Sequence, residues 1–315
     1  MGMKEAVKSI KDAESIAVAG HINPDGDSIG SLLALGLGLK KKGKRVYFVS
    51  HDGVPKKYRQ LPGADAIIRK TPKTVDLVIT VDCSTKGMLG KANNIVSRGR
   101  ETLEIDHHEI REPFGTKQWI DVNAPAVGEM VYALLKKLKI EITRDIAQNI
   151  LTSLIVETNS FRLPNVRPFT FKVCAEMVKT GIDFYRLVDM VFWSHSREVA
   201  VLSGICMARC CFLNGGRLAW SIVRREDFKK VKGKDEDVDA LPDEIRAIEG
   251  VDIVIFFREK SQGRLRVSLR SKGNINIARL AGIYGGGGHA DVAGCIIPNT
   301  RKAVKEMISR AQKLL

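Results

Sequence analysis

What most constrains this chain is a set of short apolar runs that do not alternate: IAVAG (16–20), RVYFVS (45–50) and DLVITVD (76–82), with a weaker ETLEID at 101–106. A strand with one wet face alternates polar and apolar residues. An unbroken apolar run has to be covered on both faces, which is the condition of a parallel sheet wrapped by helices. Helical patterns fill the intervals. SIGSLLALGLGLKKKG (28–43) is apolar along much of its length, carries lysines in its last turn and stops at a glycine. PAVGEMVYALLKKLK (125–139) opens on proline and TRDIAQNILTSLIVET (143–158) on a capping threonine, and a further helix is predicted over 168–180. The alternation predicts an α/β chain whose N-terminal domain, over 1–185, is a doubly wound, mainly parallel sheet.

A segment over 186–210 connects to a smaller C-terminal α/β domain over 211–315, and the active site is expected in the cleft between the two. RLAWSIV (217–223), VDIVIFFRE (251–259) and GRLRVSLRS (263–271) read as strands, and CIIP as a short one. NINIARLAGIY (274–284) and RKAVKEMISRAQKLL (301–315) read as helices, and the mixed-charge run KKVKGKDEDVD (229–239) as a solvated loop. The apolar stretch at Val191, Phe192 and Trp193 reads as packing between domains, with a homodimer contact as the alternative.

Bulk properties narrow the function. The formal net charge of +15 favours a polyanionic partner such as nucleic acid, nucleotide or phosphate. No run of 18 or more apolar residues is present to make a transmembrane helix, the start carries no secretory signal pattern, and Ala6 breaks the myristoylation pattern. Cys83, Cys174, Cys206, Cys210, Cys211 and Cys295 form no CxxC pair and have no accompanying histidine pattern, so they read as reduced thiols of a cytoplasmic protein.

The chemistry lies at the ends of the apolar runs. GHINPDGDSIGS (20–31) places His21, Asp25 and Asp27 directly after one strand and at the start of a helix. A second strand ends in Asp82, and a third in Asp106, His107 and His108. In open α/β sheets ligands bind outside the carboxyl ends of the strands. Three strands delivering carboxylate or imidazole to one edge have no cause as solvated turns, and are what a metal site requires. Oxygen plus imidazole without thiolate suits Mn²⁺, Mg²⁺ or Co²⁺. Crowded carboxylates suit two ions, the arrangement used for phosphoester hydrolysis. Towards the C-terminus, YGGGGHADVAGC (284–295) lets backbone amides at Gly286, Gly287 and Gly288 approach an anion, with His289 as a further donor. Just upstream, a period-two strand puts Arg264, Arg266, Ser268, Arg270 and Lys272 on one face, a basic surface suited to phosphate.

These motifs, HINPDGDSIGS, the Asp82 strand end, IDHH (105–108) and GGGGHADVAG, resemble the DHH phosphoesterases with their DHH-associated C-terminal domain, over about residues 10–310. The length and two-domain layout look like the nanoRNase subgroup, the bifunctional oligoribonucleases and pAp phosphatases. The resemblance implies a site for two Mn²⁺ ions, with His21, Asp25, Asp27, Asp82 and His107 as ligands and Asp82 bridging. It implies that His108 contacts substrate phosphate and that Asp106 orients the histidines. It also implies substrate binding by Arg270, Gly286, Gly287, Gly288 and His289. One position departs from the pattern: VETNSF puts Glu157 where an aspartate ligand is expected. The implied activity is cleavage of short oligoribonucleotides or dinucleotides to mononucleotides, with removal of phosphate from 3′-phosphoadenosine 5′-phosphate. A signalling-dinucleotide phosphodiesterase and a nucleotide-binding regulator weakened through Glu157 are the alternatives.

Overall fold

The computed structural model describes residues 2–193 and 196–315. The chain divides into two compact units, Met1–Ser194 and His195–Leu315, a division inside the 186–210 stretch read as a connection.

The first unit opens with helix α1 (Met3–Asp12), followed by β1 (Ser15–Ala19), α2 (Gly26–Lys41), β2 (Arg45–Val49), β3 (Ile67–Ile68), β4 (Val75–Val81), β5 (Gly99–Asp106) and β6 (Lys117–Ile120). Helices α3 (Val127–Lys137), α4 (Arg144–Glu157), α5 (Pro168–Val178) and α6 (Phe184–Val188) follow. All six strands are parallel, in the order β3-β2-β1-β4-β5-β6. The order reverses between β1 and β4, which makes the carboxyl ends of those two strands the topological switch point. β1 is buried at every position, as its unbroken apolar run requires. One face of the sheet packs Ile16, Val18, Ile79 and Leu103 against Leu32 and Ile150. The other packs Ala17, Ala19 and Val78 against Leu89 and Ile95, from the short-turned helical stretch Lys86–Arg98.

Local chemistry sets the helix starts. The Asp25 carboxylate caps α2 by accepting from the amides of Asp27 and Ser28, and the Thr143 hydroxyl caps α4 by accepting from that of Ile146. Pro168 occupies the first turn of α5.

The second unit holds α7 (Arg197–Ala208), β7 (Cys211–Leu213), β8 (Leu218–Val223), α8 (Arg225–Val231), α9 (Leu241–Arg246), β9 (Ile253–Glu259), β10 (Arg264–Ser271), α10 (Ile277–Ile283), β11 (Gly287–Gly288), β12 (Val292–Pro298) and α11 (Arg301–Gln312). Its mixed sheet runs β11-β12-β10-β9-β8-β7, and only β8 and β9 pair in parallel. β9 is apolar on both faces because two cores share it. Ile255 and Phe257 meet α10 and α11, while Val254 and Phe256 meet Leu202, Leu241 and Ile245.

The 229–239 run is mostly exposed, as expected, but it is not a loop throughout. It holds the end of α8 and a turn over Asp235–Val238. The reason is nonlocal. Arg258, only 2% exposed on β9, donates to Asp235 at 2.9 Å and to Asp239, and Lys260 donates to Asp235 at 2.6 Å. A buried guanidinium needs paired carboxylates, and the run supplies them. No described helix is long and apolar enough to cross a membrane. All six cysteines are free: Cys83, Cys206 and Cys295 are buried and Cys211 is exposed.

Candidate active site

Eight residues of the first unit meet at the switch point. His21 follows β1, and its Nδ1 lies 2.7 Å from the Ile22 carbonyl, so Nε2 is the nitrogen turned to the site. That Nε2 is 3.2 Å from Asp82 Oδ2 and 3.8 Å from Asp25 Oδ1. His107 follows β5 and is tied in the same way, Nδ1 to the Ala124 carbonyl at 3.0 Å. Its Nε2 is 3.7 Å from both Asp27 Oδ2 and Asp82 Oδ1, and 4.0 Å from Glu157 Oε1. Asp82 thus faces both imidazoles, one through each oxygen. It reaches that position with φ of 57°, the left-handed region that aspartate tolerates better than most side chains, and its amide donates to the Ile105 carbonyl at 3.1 Å.

Asp27 is fully buried and supported on every side. It accepts from Ser31 Oγ at 2.9 Å, Ser153 Oγ at 2.6 Å, and the Val127 and Gly128 amides at 2.9 and 3.3 Å. Those amides are the first two of α3, so the carboxylate sits on a helix N-terminus. Ser31, one turn after Asp27 on α2, was legible as an i, i+4 pair. Ser153 and the α3 amides come from distant sequence and carry no local signal.

Asp106 ends β5 and is fully buried. Its Oδ1 accepts from the His107 amide at 2.9 Å and lies 2.7 Å from His108 Nδ1. Burial alone would lower the His108 pKa, but the Asp106 bond and the Asp82 charge outweigh it and push it up to about 9. Among the described residues Asp106 Oδ2 has no hydrogen-bond partner, and Arg111 Nε stands 3.7 Å from it. Arg111 in turn pairs with the buried Glu104, a link the motif does not disclose.

Glu157 is the last residue of α4, and close packing brings it to the site. A Cβ on Gly26 would lie 2.4 Å from Val156 Cγ2, so α2 starts this near to α4 only because residue 26 is glycine.

The donor set fits a divalent cation. Burial pushes the Glu157 carboxyl well up, with the charges of Asp25, Asp27 and Asp82 adding to it. Burial, with the charge of Asp82, pushes Asp27 up to about 6. Among the described residues no lysine or arginine pairs with Asp25, Asp27, Asp82 or Glu157. Among the groups of ligand atoms close enough to hold an ion are His21–Asp25–Asp82 and Asp27–Asp82–His107, which share Asp82. Crowded, hydrogen-bonded carboxylates beside imidazoles fixed through Nδ1 are the arrangement of a hard-to-borderline metal centre.

The remaining residues expected to bind substrate lie in the second unit. Arg270 is opposite Val292 in the sheet, and Gly288 is opposite Ala293. Arg270 already forks onto Asp243, Nε to Oδ1 at 2.9 Å and Nη2 to Oδ2 at 3.1 Å. Gly287 and Gly288 form β11, and the His289 amide donates to the Val292 carbonyl at 2.7 Å. A Cβ on Gly286 would meet the Gly294 carbonyl at 2.1 Å, so glycine here also serves strand packing.

Comparison with known proteins agrees with this architecture. The DHH family, N-terminal domain, matches residues 15–156, and the DHHA1 domain matches residues 222–315. The bifunctional oligoribonuclease and PAP phosphatase NrnA of Thermus thermophilus is 30% identical over 319 residues, covering 98% of this chain and 94% of that protein. The crystal structure of an exopolyphosphatase-related protein from Bacteroides fragilis superposes with a TM-score of 0.91 at 22% identity, covering 99% of this chain and 95% of that one. That of exonuclease RecJ bound to manganese does so at 0.57 and 14% identity, covering 98% and 93%. The order of domains, the strand ends that carry the donors and a full-length relative lead to one assignment: the chain is a hydrolase of the DHH phosphoesterase family.

Proposed function

We propose that this protein is a cytoplasmic phosphodiesterase that degrades short oligoribonucleotides and dinucleotides to mononucleotides and also dephosphorylates 3′-phosphoadenosine 5′-phosphate. The observation that carries the reading is Asp82, whose two oxygens face two separate donor groups, His21–Asp25 and Asp27–His107. The full-length relative from Thermus thermophilus, named for oligoribonuclease and PAP phosphatase activity, supports the choice of substrate.

The first group and Asp82 would hold one Mn²⁺, and the second group and Asp82 another, with Mg²⁺ or Co²⁺ as substitutes and Glu157 completing the set. Bound divalent ions make water a nucleophile at neutral pH and neutralise phosphoryl charge. The chain's own groups do the rest. Asp27, fixed by four hydrogen bonds, and the histidines, fixed through Nδ1, hold their donor atoms without rearrangement. His108, kept protonated by Asp106, donates to a phosphoryl oxygen as charge builds there. Water oxygen bonds to phosphorus as the P–O bond to the ribose oxygen breaks; the water gives up its proton to solvent, and the leaving ribose oxygen takes one from it. In the second unit, Arg270 and the 286–289 segment are assigned to the rest of the substrate, the phosphate competing with Asp243 for the Arg270 fork.

The test is product analysis with Mn²⁺ on a 5′-phosphorylated dinucleotide, a longer RNA, 3′-phosphoadenosine 5′-phosphate and pyrophosphate, with Asp82→Ala as control. Mononucleotide release from the dinucleotide, lost in the control, is expected. Tight nucleotide binding without hydrolysis of any substrate would overturn the reading in favour of a regulator.

A further inference from the structure

Tyr58 belongs to none of the motifs. It closes the short turn Lys56–Tyr58 between β2 and β3, and it is fully buried. Among the described residues no acceptor takes its hydroxyl proton, although the Gly26 amide faces its oxygen, and an unmet buried donor is costly. The hydroxyl lies beside the first residue of α2. Its oxygen is 3.1 Å from where a Cβ on Gly26 would stand, and Gly26 lies between Asp25 and Asp27. The same point is 2.4 Å from Val156 Cγ2, one residue before Glu157. Asp25 and Glu157 are the carboxylates whose charges bear on the phenol.

The two carboxylates differ in what they still need. Asp25 Oδ1 already accepts from the amides of Asp27 and Ser28. Glu157 has only the His107 imidazole at 4.0 Å and accepts no hydrogen bond among the described residues. A glutamate has one more rotatable bond than an aspartate, so its carboxylate needs a further restraint to stay aimed.

We propose that Tyr58 is a positioning residue for the metal centre: its O–H donates to the Glu157 carboxylate when the site is loaded and holds this longer side chain on the ion. The proposal rests on the divalent-metal reading of the site. It makes Tyr58 and Glu157 a matched pair, an orphan donor and an under-supported acceptor.

The test uses the full chain and Mn²⁺ itself. Titration calorimetry gives the Mn²⁺ affinity of wild type, Tyr58→Phe, Glu157→Asp and the double variant, and thermal denaturation of each in EDTA gives the metal-free stability. Tyr58→Phe should weaken Mn²⁺ binding about 10- to 100-fold, the usual cost of losing a hydrogen bond that orients a metal ligand, while its metal-free melting temperature stays level or rises. In the Glu157→Asp background the same change should have no effect, because the shorter side chain cannot take the bond. Wild-type affinity in Tyr58→Phe, or an equal loss in both backgrounds, would overturn the proposal while leaving the metal centre standing. No Mn²⁺ binding by the wild type would overturn the metal reading and the proposal with it.

Discussion

Asp82 concentrates the residue-scale argument. It serves both donor groups, and the backbone adopts a left-handed conformation to place it. Asparagine tolerates that conformation and keeps the volume, so Asp82→Asn should fold. Hydrolysis should nonetheless fall by about 10²–10³-fold or more, the cost of losing a preorganised charged group. The metal-free variant should also melt about 2–4 °C higher for each ~1 kcal/mol of relieved repulsion, since the Asp82 charge helps push the Asp27 carboxyl up. Undiminished turnover in Asp82→Asn would remove Asp82 from the centre. A smaller loss, about 10–100-fold, is expected for Asp106→Asn, which keeps the shape but weakens the hold on His108. Residues of this kind were legible because each sits at the end of an apolar run. Glu157 was legible only through its resemblance to a family pattern, and Tyr58 not at all, because its role depends on where a loop folds back.

At the scale of elements, helix α2 does the assembling. Asp25 caps it, Asp27 leans from its first turn onto the start of α3, and its glycine at 26 admits the end of α4. Replacing Gly26 by alanine puts a methyl 2.4 Å from Val156 Cγ2 and 3.1 Å from the Tyr58 hydroxyl. The expected cost is about 1–3 kcal/mol of stability, as for other overpacked cores. Because Val156 is the side chain that must yield, Glu157 moves with it, and Mn²⁺ affinity should drop as well. Calorimetric melting and metal titration of Gly26→Ala check both effects, and unchanged values would show that α4 is not held by this contact. The apolar strands and the long helices α2 and α4 were readable because burial on both faces leaves a continuous signature. Helix α1 and strands β3, β6 and β11 were not, since they are short, or amphipathic in ways that loops share. The local order within the charged run over 229–239 was hidden for a different reason: the arginine that organises it lies on β9 and is distant in sequence.

Over the whole molecule the two units answer to different controls, because each has its own cores and the carboxylates of the donor cluster belong to the first. Mn²⁺ at about 100 times its dissociation constant should stabilise the fold that binds it by about 2.7 kcal/mol. In hydrogen exchange the added protection should fall on segments 20–31, 81–84, 104–109 and 153–158, with the second unit unchanged. Acid should reach the second unit, which the metal does not. Asp227, buried on α8, accepts from both terminal nitrogens of Arg209 and from the Arg224 amide at 2.8 Å. Burial alone would raise its pKa, but these bonds outweigh it and hold the carboxyl below its ordinary value. A group whose folded pKa is depressed contributes stability that is complete above the unfolded value, about 3.9, and is lost as pH falls through the folded one. Exchange protection across α7, α8 and β8 should therefore decline as pH falls below about 4, after the usual correction for intrinsic exchange rates. In Asp227→Asn the same segments should be weaker at neutral pH, by about 1–3 kcal/mol for the lost charged hydrogen bonds, and their stability should change less with acid. An identical acid profile in wild type and Asp227→Asn would show that this ion pair does not hold the second unit together, and would shift attention to Arg258 and its aspartates.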